Sequence, residues 1–301
     1  MEPLDLTEFP TISKSEWHDL ATAQLKGASP GDQLGWVSEG INLAPYYDAS
    51  DLEDTGYLTD FFQDVSIQWK LYERIEVSDE AKANEEALQA LSGGCDGVIF
   101  SLSSNPSFDS LLNGIFTDIC DISIWAGGAN TNVKEDLPAG VRGFTILKDY
   151  SDTYCPPRQY ESQIAFITEC IKNLGDRNHI FRYASSDFFV EVASLRALRF
   201  LIKDALSKDP FNIHIHTEVP EHGNTEYQWF LNSTAGMASI IGGSGSICFK
   251  TAIGNSRISR NVGNLIREEC GIDTYTDQCG GSYFVESLTH NIIKACKNSL
   301  K

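Results

Sequence analysis

Between residues 181 and 286 the chain alternates short apolar runs with amphipathic stretches, and this alternation restricts the fold more than any other feature of the sequence. Phe181, Arg182 and Tyr183 read as a strand, and Ser185, Ser186 and Asp187 behind them are side chains able to cap a helix. Over residues 188–206 the apolar Phe189, Val192, Leu195, Leu198 and Ile202 recur every three or four positions, leaving Glu191, Arg196, Arg199 and Lys203 for a polar side. A strand over residues 211–217, a helix over 228–241 stopped by Gly242-Gly243, a short strand at Ile247-Cys248-Phe249 and a helix striped by Ile258, Val262, Leu265 and Ile266 continue the series. Each helix returns the chain to the same end of a sheet, so the spacing predicts a parallel α/β construction.

The same unit runs upstream. Residues 69–77 alternate as a strand, with Leu71, Glu73 and Ile75 on one face and Tyr72, Arg74 and Glu76 on the other. A helix over 79–91, a strand over 96–101, a helix over 108–119 and strands over 122–125 and 143–147 follow, then a loop over 148–160 and a helix striped by Ile164, Ile167 and Ile171. Strands are legible near residues 71, 98, 123, 145, 182, 214 and 247, seven in all. A closed TIM-type (β/α) barrel has eight. Either one lies between Trp125 and Gly143 or the barrel is abbreviated.

Residues 63–301 are therefore read as the barrel and residues 1–62 as an extended N-terminal arm that contacts the barrel or another subunit. In the arm, Ser13 and Glu16 form a capping box before a short helix, residues 35–41 read as a hairpin, and residues 48–54 as an acidic linker. The length of 301 residues suits one barrel of about 250 residues with such an extension.

Charge excludes some partners. Forty-two acidic against twenty-three basic residues give a net charge of -19, which repels a phosphate backbone, so no nucleic acid is expected. No apolar run reaches the length of a membrane span and the first ten residues lack a secretory pattern, so the expected location is cytoplasmic, with no membrane. The eight cysteines are widely spaced with no CxxC pair, which reads as reduced thiols and no zinc site.

Several longer motifs narrow the reading. They are Ala83-Asn84 with Ala87-Leu88-Gln89-Ala90-Leu91, Phe188-Phe189-Val190-Glu191-Val192-Ala193 with Leu195-Arg196-Ala197, and Gly236-Met237-Ala238 with Gly242-Gly243. Arg257-Ile258-Ser259-Arg260-Asn261 and Gly280-Gly281-Ser282-Tyr283-Phe284-Val285-Glu286 complete the set. In these motifs the chain resembles the substrate barrel of the methylmalonyl-CoA mutase family, and most nearly the small companion subunit of its two-chain bacterial members. The resemblance implies an isomerase family that interconverts methylmalonyl-CoA and succinyl-CoA by a radical rearrangement, with adenosylcobalamin supplying the radical. In catalytic members the acyl-CoA tail runs along the barrel axis and a separate C-terminal domain binds cobalamin. Its Asp-x-His-x-x-Gly motif does not occur here, so the cobalamin-binding domain is expected to be absent and no cofactor is expected on this chain alone.

The departures point the same way. The resemblance places a Tyr-His pair on Thr153-Tyr154, so that Tyr154 replaces the histidine; an Arg-Thr-His motif is not reproduced by His214-Ile215-His216-Thr217-Glu218, and the arm lacks the catalytic tyrosine and arginine. The leading expectation is a non-catalytic structural subunit that pairs with a catalytic large subunit as a heterodimer. The alternative is a barrel that binds acyl-CoA and catalyses when a cobalamin domain is supplied separately.

No catalytic residue is assigned; the substrate-binding candidates are Tyr154, Arg182, His214 and His216. His214 and His216 share one strand face, where they line the barrel, mark a vestigial ligand pocket, or recruit Glu218 or His222 to a metal; no metal is expected. Tyr154 is a proton donor if an acyl oxygen reaches it and otherwise a phenol fixing a loop, and Arg182 and His214 are the cations available near an acyl end. Asp187 and Glu191 read as first-turn groups pairing with Arg182 or Arg199, and Arg257, Arg260 and Arg267 as partners of Glu268 and Glu269. The barrel axis is expected to be filled by large side chains drawn from Ile99 or Phe100, Trp125, Phe144 or Ile146, and Phe181 or Tyr183.

Overall fold

The structure, a computed structural model, describes residues 12–63, 68–126, 141, 143, 145–147, 152–156, 159–220, 228–250, 256–272 and 276–301. Eight parallel strands form one nearly closed sheet: β3 (Lys70–Val77), β4 (Gly97–Leu102), β5 (Asp121–Ala126), β6 (Thr145–Leu147), β7 (Thr153–Tyr154), β8 (His179–Tyr183), β9 (His214–Val219) and β10 (Ser246–Phe249). Their spatial order is β6-β5-β4-β3-β10-β9-β8-β7, the order of a TIM barrel with its seam between the fourth and fifth strands. Across that seam the Thr145 amide donates to Asp152 Oδ1 at 3.0 Å, so a side chain joins the two edges.

Seven strands therefore become eight. The eighth is Thr153–Tyr154, inside the stretch read as a loop; two residues cannot display a period, and only pairing with β8 defines them. Residues 127–140, where a hidden strand was sought, lie outside the described residues. A second correction concerns residues 108–119, where the helix covers only α5 (Phe108–Leu111) and Phe116 and Ile119 are exposed.

The other crossovers are α4 (Glu80–Ser92), α6 (Gln163–Asn173), α7 (Phe188–Leu206), α8 (Gln228–Gly242) and α9 (Ser256–Glu269), with α10 (Tyr283–Leu300) packed on α6 and α7. Asp187 starts α7 by accepting from the Phe189 and Val190 amides, and Ser207 ends it in the left-handed region at φ 54°. Gly236 lets α8 approach β10, because a Cβ there would lie 2.7 Å from the Phe249 ring. In the Gly280-Gly281 turn, Gly281 takes φ 76° and its amide donates to Glu286.

Helix α7 also corrects the sequence reading. Glu191, Arg196 and Arg199, assigned to a polar side, are buried, while Phe189 on the apolar stripe is 46% exposed. The helix is sandwiched between the sheet, α6, α8 and α10, so its buried charges find their partners, carboxylates or carbonyls, inside the fold. Arg182 bonds both Glu191 oxygens, Arg196 bridges Asp277 and Glu286, and Arg199 donates to the carbonyls of Gly243 and Pro210. Arg260 and Arg267 likewise pair with Glu73 and Asp96 rather than with Glu268 and Glu269.

Within the arm, α1 (Lys14–Gln24) opens on the expected Ser13–Glu16 box, and β1 (Trp36–Ser38) pairs antiparallel with β2 (Ile41–Leu43). The short α3 (Gly56–Phe62) places Leu58 and Phe62 in the same buried cluster as Leu198 and Ile292. Glu39 accepts from Ser162 Oγ at 2.6 Å and Ser287 Oγ donates to the Asp51 carbonyl, tying the arm to α6 and α10.

Candidate functional site

Strand register sorts every side chain into the barrel or onto its outside, since residues paired in parallel ladders share a face. Tyr72, Arg74, Ile99, Ser101, Ser123, Trp125, Ile146, Phe181, Tyr183, His214, His216, Glu218, Ser246 and Cys248 fall inward. Thr153 pairs with inward His179, so Tyr154 points outward.

The middle of the axis is occupied by rings. His216 is fully buried between Tyr72 and Phe181, with ring centroids at 5.7 and 5.5 Å and interplanar angles of 22° and 28°. Trp125 and Tyr183 then meet Phe181 edge-on at 4.7 and 5.2 Å. These aromatic contacts cross the barrel, with buried Ile99, Ile146 and Cys248 filling beside them. The inward members of the expected filling set are thus Ile99, Trp125, Ile146, Phe181 and Tyr183; Phe144 lies outside the described residues.

Below the rings, at the amino ends of the strands, Ser246 Oγ bonds His214 Nε2 at 2.8 Å and His216 Nδ1 at 2.7 Å. Burial holds His214 down at about 4 and His216 well below the ordinary imidazole value, each helped by neighbouring positive groups. Both are therefore neutral at pH 7. Tyr72 donates to Asp121 Oδ2 at 2.6 Å, and Lys70 reaches the same oxygen.

Above the rings lies the mouth, at the carboxyl ends where barrels of this type carry their sites. Arg74 Nη1 donates to Glu218 Oε2 at 2.9 Å and its Nε to Ser101 Oγ at 2.8 Å, while the guanidinium lies 4.2 Å from the Trp125 ring. Burial lowers Arg74, but the paired Glu218 outweighs it and leaves Arg74 above its usual value. Glu218 is completely buried, and among the described residues its Oε1 has no hydrogen-bond partner. Burial pushes the Tyr183 phenol up to about 12 and the Cys155 thiol up to about 11, in both cases with Glu218 adding to the shift. Neither is set to transfer a proton near neutral pH.

The four candidates are thus divided. His214 and His216 lie inside the barrel, whereas Tyr154 and Arg182 lie between the sheet and the helices. The Tyr154 ring packs against Phe166 of α6, and burial raises its phenol. Arg182, fully buried, also donates to Gln163 at 2.7 Å. Of the proposed metal recruits, Glu218 is held by Arg74 and His222 lies outside the described residues; among the described residues no cluster of three metal-ligating side chains occurs.

Arg74 and Cys155 were not singled out from the sequence, and Trp125 and Tyr183 only as side chains filling the axis. The available signal was the alternation of residues 70–77: both faces of a barrel strand are buried, so an arginine opposite Leu71 and Ile75 must enter the barrel. These residues do not fit a cobalamin either. None of the six histidines lies in an Asp-x-His-x-x-Gly context, and His216 is enclosed by the rings.

Fold and interior define a TIM-type barrel with a polar mouth and an aromatic-histidine core. Residues 171–301 match the family profile described as methylmalonyl-CoA mutase. The methylmalonyl-CoA mutase small subunit of Porphyromonas gingivalis is 26% identical over 95% of this chain and 62% of its own length. The mitochondrial methylmalonyl-CoA mutase of Mus musculus is 31% identical over 93% of this chain and 54% of its own, and the Escherichia coli methylmalonyl-CoA mutase 27% identical over 60% and 28%. Over residues 171–301, the part that the profile matches, the chain belongs to the methylmalonyl-CoA mutase family. It spans less than two thirds of the length of each of these relatives. The alignment with the P. gingivalis subunit runs over 381 positions but takes in only 95% of 301 residues, so the relative carries internal segments that this chain lacks.

Proposed function

We propose that this chain is a non-catalytic structural subunit, or the barrel of one, in an adenosylcobalamin-dependent methylmalonyl-CoA mutase, supporting a large catalytic subunit that carries out the methylmalonyl-CoA/succinyl-CoA interconversion. The observation that carries this reading is the set of rings formed by Tyr72, His216, Phe181 and Trp125 across the axis, where the family resemblance puts the acyl-CoA tail. Threading a pantetheine there means separating buried side chains whose packing stabilises the barrel, at a cost of about 2–5 kcal/mol for each large residue displaced.

Charge supports the same reading. A dicarboxylic acyl group needs a free cation, whereas Arg74 at the mouth is already paired with Glu218, whose second oxygen adds negative potential. The cofactor supplies radical chemistry when bound by the partner; this chain's residues hold the barrel rigid and keep its axis closed to water.

The test has two arms. Co-expressed with a cobalamin-binding large chain of the same family, the protein should co-purify and sediment as a complex. Titrated alone with millimolar succinyl-pantetheine, which carries the acyl group and the tail without the nucleotide, a folded sample should give no binding heat. Saturable heat would overturn the closed-axis argument and establish the acyl-CoA-binding alternative, while failure to associate with the large chain would remove the supporting role.

A further inference from the structure

A second concavity lies at the other end of the barrel. Helix α7 starts at the carboxyl ends of the strands, and α10 runs beside it in the same direction, since Arg196 meets Glu286 and Lys297 meets Asp204. The carboxyl ends of both helices therefore reach the amino end of the barrel, away from the mouth. There the arm's α3 leans on them and leaves a cleft of about 550 Å³.

The floor of the cleft is aromatic. Tyr57 packs on Phe200 with ring centroids 4.9 Å apart, and its hydroxyl bonds His290 Nδ1 at 3.2 Å. The rim is cationic. Lys294, Lys297 and Lys301 form one stripe of α10 along the cleft, and Lys297 Nζ sits 5.5 Å from the Phe200 centroid. Asp204 pairs with Lys297 at 2.8 Å, leaving Lys294 and Lys301 as further positive groups on the lining. The dipole of α10 accounts for a cation in the last turn, but not for an aromatic floor beside three of them. In a chain of net charge -19 such a locally positive concavity is the feature that attracts an anion.

We propose that this cleft binds a nucleoside diphosphate-type ligand, with its planar base against Tyr57 and Phe200 and its phosphates against Lys294, Lys297 and Lys301. An ammonium this close to a ring can touch the charged part of a ligand whose base rests on that ring. Because Lys297 is shared with Asp204, Lys294 and Lys301 are the charges left to neutralise the diphosphate. The volume lies within the range of small-molecule sites. Binding here joins the arm to α7 and α10, so occupancy fixes the arm on the barrel at a distance from the mouth.

Calorimetric titration of the full chain with ADP, adenosine and tripolyphosphate tests the assignment. ADP should bind saturably, with adenosine and tripolyphosphate each at least tenfold weaker, because each lacks one half of the contact. Lys294→Glu and Lys301→Glu, both on the exposed rim, should each weaken ADP binding at least tenfold while leaving the thermal melt unchanged. The assignment is overturned if folded protein takes up no ADP at millimolar concentration, if tripolyphosphate binds as well as ADP, or if both variants bind ADP like the parent.

Discussion

Acid should loosen this barrel from the inside. His214 and His216 are neutral in the fold and take up protons freely once the chain unfolds, at the ordinary imidazole value of about 6.5. A histidine whose folded value is depressed contributes stability that is complete above its unfolded value and lost as pH falls toward the folded one. For His214, held at about 4, the window is between 6.5 and 4; for His216, held lower, it extends further into acid. Linkage gives a loss of about 2 kcal/mol per histidine on going from about pH 7 to about pH 5, or about 4 kcal/mol for the pair if they act independently. Against a total of roughly 5–15 kcal/mol that is a large fraction. Glu73 and Glu286, raised chiefly by burial, act in the opposite sense and gain stability in acid, so the wild-type curve alone mixes the two effects. The variants separate them. Urea unfolding at both pH values should show that His214→Gln and His216→Gln each remove about half of the histidine contribution. If the pH 7 to pH 5 difference is the same in both variants as in the parent, the buried histidines are not responsible and the argument fails.

Glu191→Gln leaves Arg182 buried beside a neutral partner and should cost about 3–5 kcal/mol in urea midpoint analysis, whereas loss of the exposed helix cap in Asp187→Ala should cost about 1 kcal/mol; equal effects would show that the buried pair is not special. Among the thiols, exposed Cys270 should react first with a disulfide reagent, while buried Cys95, Cys170, Cys248 and Cys296, all with raised values, should react only on unfolding. Rapid labelling of Cys170 or Cys248 in native protein would contradict the packing described above.

The sequence by itself determined the class of fold. Periodicity of 3.6 in residues 188–206 and the strand-like runs at Val98-Ile99-Phe100 and Ile247-Cys248-Phe249 are local signals, carried by neighbours on one element, and they survive without any knowledge of what packs outside. The same holds for the Ser13–Glu16 box and for the long glycine-led motif at 280–286 that carried the family resemblance. What only the tertiary structure decided depends on partners distant in the chain. Thr153–Tyr154 becomes a strand because β8 is there to pair with it, and that pairing turns Tyr154 away from the axis. Glu191, Arg196 and Arg199 look like a solvent face until the sheet and neighbouring helices close over them and supply opposite charges or carbonyls. The ring-filled interior needs four strands in register before Tyr72, Trp125, Phe181 and His216 meet, because side-chain alternation gives each strand two equivalent faces and only closure of the barrel selects which one is inside.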